Sequence, residues 1–380
     1  GDRVRALARL ALSSGRVGGG AAPLDPERAG KLVTLLFNRF AFDAREELAT
    51  TLAAAGPAFA RRLAADPRPA VRAATARVLA ESAQPEDERL LLALVEDREP
   101  AVEIAAIDAL GERKVEAART ELVVRARLGV PQVRAAALLA IGKLGGEFVL
   151  DALLLGASEN DPIVRSAAAQ ALAELGDPAA ASLLLSMLAE GGGSVVFGPA
   201  RAGLVKLGEK AWPELVRAVN KTNHPARREA ALILAEAGQA APVTALMQAL
   251  ATHPQDARVA NELAVLTCVD FRGEPDPASA WWGWYEGVVH DDAHAWFRAA
   301  LERAGEKTPS PEALRPPGTR AGRLFLVEVL ARPEAQIAER ARRELARLLA
   351  RELEPLPARG APRDAWIAEV REAIANTRDP

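Results

Sequence analysis

Leu91, Leu122, Leu153, Leu184, Leu215 and Leu246 stand 31 residues apart. Four residues after each comes Val95, Ala126, Ala157, Leu188, Val219 and Leu250. An apolar pair at i and i+4 occupies one face of a helix, so a helix recurs with this period. A second series runs between the first: Val71, Val102, Val133 and Val164, again 31 apart. It continues at Val196, Ala226 and Ala257, with one residue gained and one lost. Eight residues on stand Leu79, Leu110, Ile141, Leu172, Leu204, Leu234 and Val265, two helical turns away. Phe40 and Leu48 fit one further copy upstream. A unit of two short amphipathic helices cannot bury its apolar faces alone. It does so by stacking on its neighbours, and this confines the chain to a helical array.

The punctuation agrees. Pro69, Pro100, Pro131 and Pro162 each sit two residues before the valine, where proline is tolerated in a first helical turn. Gly145, Gly176, Gly208 and Gly238 stand twelve residues after it and suit a left-handed C-cap. Each repeat thus reads as helix, tight turn, helix, glycine turn. No segment alternates with period two, so strands are not predicted. The predicted fold is all-α, a right-handed α-solenoid of antiparallel helix pairs.

The segments DPRPAVRAATARVLAE, DREPAVEIAAIDALGE, GVPQVRAAALLAIGKLG and NDPIVRSAAAQALAELG, starting at Asp66, Asp97, Gly129 and Asn160, resemble the HEAT-repeat family. The likeness is to its short bacterial form, the repeat style shared with phycobilin lyases. The family pattern places an Asp in the turn and an Arg six residues later, which Asp66 and Arg72 satisfy. Arg134, Arg165, Arg227 and Arg258 keep the Arg, whereas Glu103 and Phe197 depart from it. The likeness covers roughly residues 30 to 268. It implies a fold in which the second helix of each pair lines a concave face. It implies no particular activity, because such arrays serve many roles.

The ends differ from the middle, and four segments are expected. Residues 1–27 form an N-terminal tail and loop, and 28–268 the HEAT-repeat solenoid. Residues 269–318 form a Trp-rich irregular segment with a Pro-rich linker, and 319–380 a C-terminal helical closing unit. After Thr267 the period fails, and LTCVDFRGEPDPASAWWGWYEG resembles a short segment of bacterial HEAT proteins. Helices are expected again at 321–331, 334–352 and 363–376, the last with Asp364 as N-cap.

Composition removes several functions. Lys and Arg number 48 against 51 Asp and Glu, a net charge of −3, which argues against a general nucleic-acid binder. A local binder using the Arg series stays as one alternative. Cys268 is the only cysteine, so no internal disulfide forms. No apolar run approaches the roughly 20 residues needed to cross a bilayer. The abundance of Arg and Ala over Lys suggests a GC-rich bacterial genome. The chain opens at Gly1 without Met, so cytoplasm and periplasm both stay open, as does the oligomeric state.

Candidate sites are of two kinds. Positions two and six after each valine are expected to face outward on the concave side. Among them Arg77, Ile104, Asp108, Leu139, Gln170, Arg228 and Leu232 are candidate partner contacts. This row is small and partly apolar and suits a helix or extended peptide. Four of the six tryptophans, with Tyr285, fall between Trp281 and Trp296. They read either as a cap over the open end of the array or as a binding surface led by Trp281 and Trp284. His290 and His294 in HDDAH have a metal-holding i, i+4 spacing, with Asp291 and Asp292 beside them and no third ligand in view. The same segment also reads as a solvated polar helix start. The run GGGS at 191–194 lacks the following Gly-Lys-Ser/Thr of a phosphate loop, and no cofactor motif is found. The resulting expectation is a non-catalytic scaffold or adaptor for a protein or peptide, the alternatives being a metal-dependent enzyme at HDDAH and the nucleic-acid binder.

Overall fold

The computed structural model describes residues 57–375 apart from 83, 147, 148, 315 and 317. The N-terminal tail and the copy at Phe40 and Leu48 lie outside the described residues. The chain divides into two compact units, one of residues up to 188 with 192–207, the other of 189–191 with 208 onward. Among the described residues every regular element is helical and there is no strand.

In the first unit the helices come in pairs. They are α1 (Pro57–Arg61) with α2 (Pro69–Ala80), α3 (Pro85–Leu94) with α4 (Pro100–Glu112), and α5 (Arg119–Arg127) with α6 (Pro131–Leu144). Then come α7 (Val149–Ala157) with α8 (Pro162–Leu175), and α9 (Ala180–Leu188) with α10 (Phe197–Leu207). The prolines named from the sequence open α2, α4, α6 and α8, where the missing N–H is no loss. The preceding residues are extended, as a following proline requires. Gly145 and Gly176 leave α6 and α8 at φ +66° and +67°, a conformation costly for a residue with a Cβ.

Both apolar series are buried. The six leucines from Leu91 to Leu246 have no exposed surface, nor do Val71, Val102, Val133, Val164 and Val196. Successive second helices pack directly on one another, from α2 through α4, α6 and α8 to α10. Their approach is close at two glycines one period apart. A Cβ on Gly111 would lie 2.8 Å from the Cα and Cβ of Ala140, and one on Gly142 would lie 2.8 Å from the Cα and Cβ of Ala171. Only a residue without a side chain lets these backbones meet.

The Arg of the repeat ties one turn to the next. Arg72 donates through Nε and Nη2 to Asp97 at 2.6 and 2.8 Å, and through Nη1 to the Asp66 carbonyl at 2.8 Å. Asp97 lies one period after Asp66. Arg134 repeats the tie to Glu159. In the copy between them both partners change together: Glu103 replaces the Arg, and Leu128 replaces the acid. Glu103 accepts instead from Arg125 at 2.9 Å, and Leu128 is left 64% exposed.

The second unit continues with α11 (Trp212–Asn220), α12 (Arg227–Glu236), α13 (Val243–Thr252) and α14 (Ala257–Thr267). The apolar series holds through Ala226 and Leu234 and slips in α14, where Ala257 is exposed and Val259 fully buried. This helix starts at Ala257 itself, and its third residue is Val259. Beyond it lie α15 (Pro277–Glu286), α16 (Ala293–Arg303), α17 (Arg320–Val329), α18 (Ala335–Leu348) and α19 (Ala361–Ala375). Asp364 sits in the first turn of α19 rather than capping it, because the helix begins three residues earlier.

Helix α15 packs on α13, while α16 and α18 both pack on α14. Trp281 is fully buried; its ring meets Phe271 edge-on at 5.6 Å, and its Nε1 donates to Thr267 Oγ1 at 3.3 Å. Charged groups secure α18. Arg343 makes a two-pronged pair with Glu262 at 2.7 and 2.9 Å. Arg340, 1% exposed, pairs with the buried Glu344 at 2.7 Å. Burial opposes the charge on Glu344, but Arg340 and Arg347 outweigh it and hold the carboxyl below its usual range.

Three outcomes follow. Gly142→Ala should destabilise the protein by about 1–3 kcal/mol through overpacking. Gly198→Ala, where a Cβ meets nothing within 4 Å, should be neutral or stabilising by up to ~1 kcal/mol; urea melts of the two variants test the difference in sign. Hydrogen bonds from Arg72 hold Asp97 below the ordinary carboxylate range. Its contribution is therefore complete above the unfolded value, about 3.9, and lost as pH falls through the folded one. Asp97→Asn should make stability fall less steeply on acidification, read by melts from neutral to acid pH. Trp281→Ala should cost about 3–5 kcal/mol, well above the effect of Trp284→Ala.

Candidate functional site

The face of the second helices in the first unit holds an open groove of about 420 Å³. Its walls are Ala135 and Leu139 of α6, Pro162, Ile163, Ser166, Ala167 and Gln170 of α8, and Val195 just before α10. No charged side chain lines it. The 31-residue period places the α6 and α8 residues side by side. Close backbone packing at Gly142 and Ala171 keeps their rows adjacent. Ile163 and Val195 are 47% and 58% exposed, unusual for branched apolar residues on such well-packed helices.

The structure therefore brings Leu139 and Gln170 together in one depression. Arg77 and Asp108 are exposed on α2 and α4, and Ile104 is half-buried on α4. Pro162, Ile163 and Val195 lie outside the expected outward row. For Ile163 the sequence carries a signal: it precedes Gln170 by seven residues, which returns to the same helix face after two turns.

Two expected contacts are corrected. Leu232 was placed on the outward row, but it is fully buried. Its helix α12 is surrounded by α11, α13 and α14, and Arg347 of α18 reaches the Glu236 carbonyl at its end. Of the two readings open for Trp281, cap or binding surface, the second does not fit its position, since it lies under Phe271 with no exposed area. Trp284 is half-buried, its ring edge-on to Trp296 at 5.4 Å. Arg228 of α12 is engaged with Asp256 at 2.7 Å.

His290 and His294 line a different cavity, of about 310 Å³, with Asp291, Asp292, Phe297, Arg298 and Leu314. Asp292 caps α16 by accepting from Ala295 N at 2.7 Å. Burial pushes the His294 imidazole below its usual range, with Glu344 opposing. Among the described residues no three His, Cys, Asp or Glu side chains converge as metal ligands. Cys268 is buried at a left-handed backbone position, and burial raises its thiol to about 12, which leaves it protonated and inert.

The Arg series is committed to the fold. Besides Arg72 and Arg134, Arg227 donates to the Val219 carbonyl at 2.8 Å and Arg258 pairs with Glu229 at 3.1 Å. Such guanidinium groups are occupied and partly neutralised, which weakens the case for phosphate contacts. Among the described residues no helix is long and apolar enough to cross a membrane.

Comparison with known proteins agrees with this architecture. Residues 56–130 and 122–205 each match the family model for HEAT repeats. No curated protein matches the chain. The match spans the stacked helix pairs of the first unit, and this array, residues 56–205, is built of HEAT repeats.

Proposed function

We propose that the protein is a scaffold or adaptor whose α6–α8–Val195 groove holds an apolar segment of a partner protein. HEAT repeats generally mediate protein interactions, and solenoids of this kind are typically non-catalytic. The observation that carries the assignment is the groove itself. Leu139, Ile163 and Val195 stand together in an uncharged depression. Isolated exposed apolar residues need no explanation, but grouped ones mark contact surfaces. Small neighbours, Ala135, Ser166 and Ala167, leave room for a ridge of side chains, as an amphipathic helix or extended peptide presents. Gln170 at the edge supplies one donor and one acceptor to fix its register.

The test is site-specific photocrosslinking from position 163 in lysate of the source cells. Adducts to one partner, lost on Leu139→Glu with the melting temperature unchanged, are expected. Adducts that persist unchanged in Leu139→Glu contradict the groove assignment.

A further inference from the structure

We propose that the outer face of α15 binds a basic segment of a partner protein, taking an arginine or lysine side chain over the solvent-facing part of the Trp282–Tyr285 pair. This surface belongs to the second unit and does not depend on the groove reading.

The starting point is the division of labour along α15. Trp281 turns inward and is consumed by packing. Trp282 and Tyr285 are half-buried, one turn apart, with their rings edge-to-face at 6.2 Å. Tyr285 is braced from behind by the buried Trp296, centroids 6.4 Å apart. The pair is thus held in place while part of each ring stays open to solvent. Next to Trp282 stands Gly283, where a Cβ would meet nothing within 4 Å. The backbone there is open to solvent. Glu286 follows Trp282 by four residues, so its exposed carboxylate shares that face.

Charge selects the occupant. From Val269 to Phe297 the chain carries six carboxylates: Asp270, Glu274, Asp276, Glu286, Asp291 and Asp292. Arg272 is engaged by Asp270 and Asn261, and Arg298, the next residue after the span, lines one cavity with Asp291 and Asp292 and pairs with Glu302. Asp276 and Asp292 cap α15 and α16, but they still contribute negative potential. An aromatic pair in such a field attracts a cation over the ring faces, and the nearby carboxylate adds a charge-assisted hydrogen bond. A phosphate backbone would be repelled. An uncharged apolar segment would leave Glu286 desolvated and unpaired.

Fluorescence anisotropy with a labelled Gly/Arg-repeat peptide tests this, using the full chain. The control peptide carries citrulline in place of each arginine, which keeps the shape and removes the charge. The arginine peptide is expected to bind and the citrulline peptide not. Trp282→Ala and Glu286→Gln should each weaken binding about fivefold, equivalent to roughly 1 kcal/mol. Glu96→Gln in the first unit should change nothing, and neither should Ile163→Glu in the groove. Because Glu286 is exposed, its variant tests the site even if Trp282→Ala does not fold. Three outcomes overturn the proposal. One is no binding of the arginine peptide. Another is equal weakening by Glu96→Gln and Glu286→Gln, which means general charge attraction. The third is tighter binding of single-stranded DNA that the arginine peptide displaces.

Discussion

The contact between successive second helices is the constraint on which the rest depends. At Gly111 against Ala140 and Gly142 against Ala171 there is no room for one more carbon. Helices that meet backbone to backbone share a long line of van der Waals contact. Their angular register is set to within a side chain. The Ala-rich composition of these helices follows from the same demand: larger residues at Ala140 or Ala171 would push the stack apart. Where the array needs bulk it uses the leucine series of the first helices, which fill the layer behind.

This packing decides what remains for function. When the inner side of each helix is committed to its neighbours, the positions between the rows are held rigidly at the surface with little freedom of their own. Leu139, Ile163, Gln170 and Val195 occupy such positions, and a preorganised surface loses less entropy on binding than a mobile one. The Arg72–Asp97 and Arg134–Glu159 ties act at the turns, and no charged side chain lines the groove. At the other end of the chain, Trp281, Phe297 and the Arg340–Glu344 pair close over α13 and α14. That leaves Trp282, Trp284 and Tyr285 as the half-buried remainder of the aromatic cluster.

Much of the fold was legible because its determinants are periodic. Two apolar series, with prolines opening α2, α4, α6 and α8 and glycines ending α6, α8 and α10, locate helices α2 to α10 without reference to any contact between distant residues. In α14 the buried position moves from Ala257 to Val259, a slip the period does not announce. Leu232 of the outward row is covered because α11, α13 and α14 pack around α12, and which neighbours enclose a helix is not written in the spacing along it. The tryptophans show the same limit: spacing says that Trp281 and Trp284 share a side, but only the position of α13 decides which ring is buried. Ile163, by contrast, was within reach of the helical repeat and needed only one further step of seven residues along the same face, whereas Val195 lies in the turn before α10 where no helical period applies.

Native-state amide exchange, followed helix by helix, tests the central claim most directly. If backbone packing between second helices holds the first unit together, α4, α6 and α8 will be its most protected elements and will share one opening free energy. Protection in α5 and α7 equal to or above that of α6 and α8, or independent opening of α6 and α8, would contradict the account.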